Sequence, residues 1–186
     1  TYLISLIITF IGCLFLVLRP LELAKSNNRS MHTSDIPTSG GIGLFIGFMI
    51  TIIYEARTIP YVLIILGIIF IIGVLDDKSK LSSISRFIIQ IFISITSIYL
   101  VGGLMLHPIL FVISVIFMTY LINAYNFMDG IDSILTLQSL FYLTTILIFL
   151  NEYSPWLTSI QIMIGALVAF MFFNFHPAKL FMGNSG

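Results

Sequence analysis

Seven runs of apolar residues, at 2–18, 41–54, 61–75, 87–101, 109–121, 134–150 and 157–173, occupy more than half of this 186-residue chain and fix what it can become. None shows the two-residue alternation of a half-buried strand, so each reads as a helix apolar on all sides. A membrane-spanning helix needs about 20 such residues, with about 17 tolerated. The runs at 41–54, 61–75 and 109–121 are shorter, and are expected to extend into their flanks, to tilt, or to lie where the bilayer thins. Charged residues make up 9% of the chain, against about 25% in a soluble domain, and mean hydropathy is +1.12. The expected fold is all-α, a polytopic transmembrane helix bundle forming a single integral membrane domain over residues 1–186. No internal repeat, low-complexity linker or separate soluble domain is visible.

Net charge is zero, so the total carries no signal for nucleic acid, and none is expected as a partner. The distribution says more. If the seven runs cross in alternation, Arg19, Lys25, Arg29, Lys78, Lys80, Arg86 and Lys179 share one side, and only Arg57 lies on the other. The positive-inside rule makes the shared side cytoplasmic and puts the N-terminus outside; the expected location is a bacterial inner membrane. Glu22, Asp35, Asp76, Asp77, Asp129 and Asp132 fall on the same side, with Glu55 and Glu152 opposite. Acids and bases gathered on one face of a neutral protein mark where its chemistry is expected. The single cysteine, Cys13, excludes an intramolecular disulfide, and no small-residue cleavage site follows the first run. A chain that begins without Met and stops just past a Gly-rich turn is expected to be part of a longer protein.

Four polar clusters interrupt the apolar pattern. The third run ends in Asp76-Asp77-Lys78, with Lys80 and Arg86 close behind. Adjacent carboxylates repel unless a cation sits between them, and Mg²⁺ favours one or two carboxylates plus substrate phosphates. The fifth run ends in Asn123-x-x-Asn126-x-x-Asp129-Gly130-x-Asp132, whose first members are neighbours on a helix surface. Two amides and two carboxylates at the end of an apolar helix are costly unless used. In Pro37-Thr38-Ser39-Gly40-Gly41, proline ends any preceding helix, and the two glycines can leave N–H groups open for an anion at the next helix start. The last cluster, Asn174-Phe-His176-Pro177-Ala-Lys179-Leu-Phe181-Met-Gly183-Asn184, offers an aromatic platform, a lysine and a polar turn. His107 and the Gly102-Gly103 pair read as ordinary loop residues, and Tyr153 and Trp156 as interfacial anchors.

Taken together and in this order, Asp76-Asp77, the run from Asn123 to Asp132 and the run from Asn174 to Gly183 resemble the polyprenyl-phosphate N-acetylhexosamine-1-phosphate transferases; Pro37-Thr38-x-Gly40-Gly41 is similar to that family's N-terminal motif. The wording of the last two runs looks closest to the branch that initiates O-antigen. The resemblance implies that undecaprenyl phosphate attacks the sugar-linked phosphate of a UDP-N-acetylhexosamine, releasing UMP, with Mg²⁺ (or Mn²⁺ in its place) bridging the diphosphate. It assigns Asp76 or Asp77 to positioning or deprotonating the lipid phosphate and to the metal. Asn126, Asp129 and Asp132 would shape the nucleotide and metal site. Phe181 would stack on uracil beside Asn174, and Lys179, Gly40 and Gly41 would face substrate. Arg86 stands where the family usually has lysine. Relatives suggest a homodimer.

The sequence departs from the pattern at two further positions. Asn184 stands where the family has an aspartate that binds metal, which predicts weaker metal binding and a slower or disabled enzyme. Ser133 stands where glycine is frequent. The family's later spans and a His-bearing loop would lie past Gly186. Two other function classes compete: a transporter, which would put polar groups near the bilayer midplane on broken helices, and a relative that binds lipid phosphate or UDP-sugar without turnover. The central parts of the runs carry no acid or base, which argues against the first.

Overall fold

The computed structural model describes residues 2–21, 23–24, 36–55, 60–79, 82–100, 107–129 and 131–183; of residues 23–24, 60–62 and 77–79 it describes the backbone only. Seven helices carry the described chain: α1 (Tyr2–Leu18), α2 (Gly40–Glu55), α3 (Pro60–Ser79), α4 (Ser83–Leu100), α5 (Pro108–Met128), α6 (Ile134–Phe149) and α7 (Leu157–Asn174). The only described pairing of strands is a two-residue antiparallel ladder between β1 (Leu23–Ala24) and β2 (Ile36–Pro37), in the loop before α2. The chain is therefore all-α, as its apolar runs imply: in lipid a helix satisfies its own backbone groups and a lone strand does not.

All seven runs became helices, and the short ones lengthened. The run at 61–75 grew to Pro60–Ser79, so Asp76 and Asp77 lie in the last turns of α3. The run at 109–121 grew to Pro108–Met128 and took in Asn123 and Asn126. Pro108 occupies the first position of α5, and His107 caps it, its Nδ1 accepting the Ile109 N–H at 3.4 Å. By length and composition α4, α5 and α7 can cross a membrane, and α1, α2, α6 and the Leu63–Asp76 stretch of α3 are shorter apolar helices.

The core lies where α1, α2 and α7 meet. Small residues let these backbones approach, as membrane helices require in the absence of a hydrophobic drive between them. A Cβ added at Gly47 would collide with the Thr9 hydroxyl, and one at Gly165 with the Tyr2 carbonyl. Ser5 Oγ donates to the Ile162 carbonyl at 2.9 Å across the same seam. Cys13, Ile162, Ala166 and Phe170 are fully buried there. Helix α6 packs on α7, and α4 pairs with α5. The outer faces of the helices expose large side chains such as Ile11, Ile88, Phe92 and Ile116, the surface expected against lipid.

Candidate active site

The site is assembled around the segment that leaves α7. Asn174 ends the helix, and Lys179 N and Leu180 N both donate to the Phe173 carbonyl, at 2.7 and 3.2 Å, folding the chain back. Asn174 is 2% exposed. Its Oδ1 accepts from Thr136 Oγ1 at 2.8 Å and its Nδ2 donates to the Leu180 carbonyl at 3.1 Å. Both ends of the amide are thus engaged inside the protein.

Two carboxylates from the end of α5 hold this returning segment. Asp129 Oδ1 accepts the Met182 N–H at 3.0 Å and Oδ2 the Gly183 N–H at 2.7 Å. Gly183 has φ 75°, a left-handed conformation suited to glycine. Asp132 Oδ2 accepts the Ala178 N–H at 3.1 Å and the His176 Nδ1 proton at 2.8 Å. Burial pushes the Asp129 carboxyl above the usual carboxylate range, and the Gly183 and Met182 N–H groups pull it partly back.

The first polar loop docks onto the same segment. Phe181 N donates to the Pro37 carbonyl at 2.8 Å; Gly40 N donates to the Phe181 carbonyl at 2.9 Å, and Gly41 N to the Met182 carbonyl at 2.7 Å. This corrects the reading of Gly40 and Gly41 as an open anion site, since their N–H groups already have acceptors. The glycines are needed for close approach instead: a Cβ on Gly40 would meet the Phe181 carbonyl oxygen at 2.6 Å and run into the Phe170 ring. The Phe181 side chain, expected to stack on a base, packs with Ile36 and Ala178, and the residue is 5% exposed.

The remaining cluster sits across α5. Asp76, 7% exposed, faces Arg86, with Oδ1 3.5 Å from Nε. A guanidinium thus stands beside Asp76, a different neighbour from the metal ion expected to bridge Asp76 and Asp77; the side chain of Asp77 lies outside the described residues, as does Asn184. Lys179 is exposed on the returning segment.

Two clefts meet at this end of the bundle. The first, of about 410 Å³, runs between α3, α4 and α5 and is lined by Asp76, Arg86, Gln90, Asn126 and an apolar wall that includes Ile72 and Ile93. The second, of about 370 Å³, is bounded by α5, α6 and α7 and holds Asp129, Ser139 and Gly183. Tyr125 and Asn126 line both. Three of the four polar clusters are therefore joined by hydrogen bonds through Asp129, Asp132, Phe181 and Met182, and the fourth is linked to them through the shared Asn126 wall. Among the described residues no group of three or more His, Cys, Asp or Glu side chains forms a metal cage.

Sequence reasoning missed Gln90 and Thr136, and noted Ser133 without seeing its backbone conformation. Gln90 had a detectable signal: a lone amide in an apolar helix, four residues after Arg86. Ser133 has φ 64°, which explains why glycine is frequent at this position in the family it resembles. Thr136 gave none, since its role depends on a partner 38 residues away.

An apolar bundle with carboxylates, a guanidinium and two adjoining clefts at its helix ends is the architecture of a membrane protein. The sequence gives the class a name: residues 59–186 match the model of glycosyl transferase family 4, and the chain belongs to that family. It is 29% identical over 180 residues to a probable undecaprenyl-phosphate N-acetylglucosaminyl 1-phosphate transferase of Bacillus subtilis, covering 87% of this chain and 50% of that protein. It is 27% identical to an undecaprenyl-phosphate alpha-N-acetylglucosaminyl 1-phosphate transferase of Thermotoga maritima, covering 88% and 52%. A putative UDP-N-acetylglucosamine--dolichyl-phosphate N-acetylglucosaminephosphotransferase of Saccharolobus solfataricus is 30% identical, covering 99% and 65%. The chain spans about half the length of most of the curated relatives it matches.

Proposed function

We propose that the full-length protein transfers N-acetylhexosamine 1-phosphate from a UDP-sugar to a polyprenyl phosphate, undecaprenyl phosphate in a bacterium, and releases UMP. The observation that carries this reading is the pair of adjoining clefts. One is apolar with Arg86 and Asp76 in its wall, suited to a phosphate on a lipid. The other holds Asp129 among polar backbone, suited to a nucleotide sugar. Asn126 stands between them, where the two phosphates have to meet. An oxygen of the lipid phosphate attacks the phosphorus next to the sugar. A new P–O–P link forms, the bond between the two phosphates of the UDP-sugar breaks, and UMP leaves with the electron pair.

The work of this chain is positioning and charge. Arg86 attracts the lipid phosphate, and Asp76 orients Arg86. Asp129 and Asp132 hold the 176–183 segment in shape, and Lys179 adds positive charge at the same end. A site for Mg²⁺ (or Mn²⁺) fits the donors in one respect: Mg²⁺ takes one or two carboxylates and completes its shell with water and phosphate, so no full protein cage is required. Asp76, Asp77 and Asn184 are the sequence candidates for that role, and the ion would neutralise charge developing on the diphosphate. The membrane is read as the bacterial inner membrane, with the N-terminus outside and the clefts opening to the cytoplasm, where UDP-sugars are made. The product would be the first lipid-linked sugar of a cell-envelope polysaccharide, O-antigen being the candidate that the motif wording favours.

The test is UMP release by the full-length protein in detergent with undecaprenyl phosphate, UDP-N-acetylglucosamine and Mg²⁺, run on the natural sequence and on Asn184→Asp. Release from both supports the reading with Asn184 as a tolerated ligand. Release only from Asn184→Asp supports an intact scaffold limited at one metal ligand. No release from either, across several UDP-N-acetylhexosamines, overturns it.

A further inference from the structure

Helices α4 and α5 meet along a polar seam inside the apolar bundle. Ser94 Oγ donates to the Gln90 carbonyl at 2.8 Å, and Thr119 Oγ1 lies 3.0 Å from Ser94 Oγ. One step along the seam, Asn123 Nδ2 donates to Gln90 Oε1 at 2.6 Å and to the Thr119 carbonyl at 3.3 Å. The second contact fixes the first. A carbonyl only accepts, so the Asn123 atom facing it is the nitrogen, and the Gln90 atom that nitrogen also meets is the oxygen. The NH₂ end of Gln90 is thereby turned away from Asn123.

Gln90 is 7% exposed and lines the α3–α4–α5 cleft beside Asp76 and Arg86. Among the described residues its amide nitrogen has no hydrogen-bond acceptor: the side chain's one bond is the one its oxygen accepts. That nitrogen is left for whatever enters the cleft, since the neighbouring wall of Ile89, Ile93 and Met118 offers no acceptor. Arg86 lies four residues earlier on the same helix, hence on the same face and one turn nearer the start of α4. A cation and a fixed neutral donor one turn apart, over an isoleucine wall, suit an anionic oxygen group carried on an apolar chain.

We infer that Gln90, held in one amide orientation by Asn123, donates to the phosphate of the lipid acceptor in this cleft; the inference rests on the transferase reading for the identity of that lipid. Gln90 is then a substrate-binding residue, and Asn123 a positioning residue that acts through it.

Direct binding of undecaprenyl phosphate to the full-length protein in detergent, without UDP-sugar, tests this, with undecaprenol and phosphatidate as comparison lipids. Gln90→Met keeps volume and removes the donor. It is expected to weaken undecaprenyl phosphate by about tenfold or more and to leave the weaker binding of undecaprenol unchanged. Asn123→Asp separates recognition from simple helix adhesion. A carboxylate still bonds Gln90 but only accepts, so the amide must turn round and present its oxygen to the cleft. Affinity is expected to fall by a similar factor with the melting temperature kept. Wild-type affinity in both variants overturns the inference, and so does phosphatidate competing as strongly as undecaprenyl phosphate. UMP release by the wild type is a separate readout. Release together with unchanged lipid affinity in the variants sinks the inference alone, whereas variant-sensitive binding without any release sinks the transferase reading alone.

Discussion

Asp129 uses both carboxylate oxygens on backbone N–H groups of the segment after α7, and it does so partly buried, where its charge is disfavoured. Replacing it therefore has opposed effects. In Asp129→Asn one N–H keeps an acceptor and the other meets an amide NH₂, while the cost of burying a charge disappears. The folded-state carboxyl sits above its unfolded value, so the folded form retains a proton that the unfolded form has lost. Wild-type stability must then fall as pH rises through that interval, starting at about pH 4. With divalent cations chelated, the melting temperature of Asp129→Asn is expected to gain on wild type as pH rises above about 4, and with Mg²⁺ restored UMP release is lost. Parallel melting curves over that range would show that the backbone donors cancel the burial. Asp129→Ala leaves both N–H groups without an acceptor and is expected to cost about 2 kcal/mol or more, read as a lower denaturation midpoint. Ser133 poses a smaller balance. Its left-handed φ favours glycine by about 1 kcal/mol, but its Oγ donates to the Asn174 carbonyl at 3.3 Å. Ser133→Gly is expected to leave stability within about 1 kcal/mol of wild type.

At the scale of elements, every helix was legible because lipid-matched apolar runs leave a chain little else to form. The ends were less legible. Asn123 and Asn126 read as a polar stripe on a helix beyond the apolar run, and they do continue α5; what sequence cannot show is the partner that Gln90 gives Asn123. The functional clusters were legible as types of residue and not as contacts. The glycine pair at the start of α2 implies open N–H groups locally, but carbonyls about 140 residues away in sequence accept those bonds. For the same reason Phe181, which reads as an exposed platform, is buried against Ile36. What holds α1, α2 and α7 together is backbone proximity, so the sensitive positions there are the smallest residues. Gly47→Ala places a methyl group into Thr9 on the facing helix, and overpacking of this kind costs about 1–3 kcal/mol. The expected result is a lower melting temperature in detergent with the affinity for UDP-sugar nearly unchanged in the protein that remains folded. The same substitution at Gly67, where an added Cβ meets nothing within 4 Å, should be silent.

For the whole molecule, the arrangement of the polar clusters makes a prediction about the membrane that does not depend on chemistry. Asp76, Asp129, Asp132 and Lys179 all lie at or just past the ends of α3, α5 and α7, whereas the turn between α6 and α7 carries Tyr153 and Glu152 at the opposite end of α7. If α7 crosses the bilayer, Tyr153 and Lys179 must face different aqueous compartments, and a transferase that draws on UDP-sugars needs Lys179 in the cytoplasm. Both residues are exposed, and the natural thiol of Cys13 is buried, so single cysteines at 153 and 179 can be told apart in a Cys13→Ala background. In intact cells a membrane-impermeant maleimide is expected to label Tyr153→Cys and to reach Lys179→Cys only after permeabilisation. Labelling of both without permeabilisation would mean that α7 does not cross. The reverse pattern would put the Arg86 and Asp129 clefts outside the cell, away from any nucleotide-sugar pool, and the proposed reaction would then fail on topology even with every residue of the site in place.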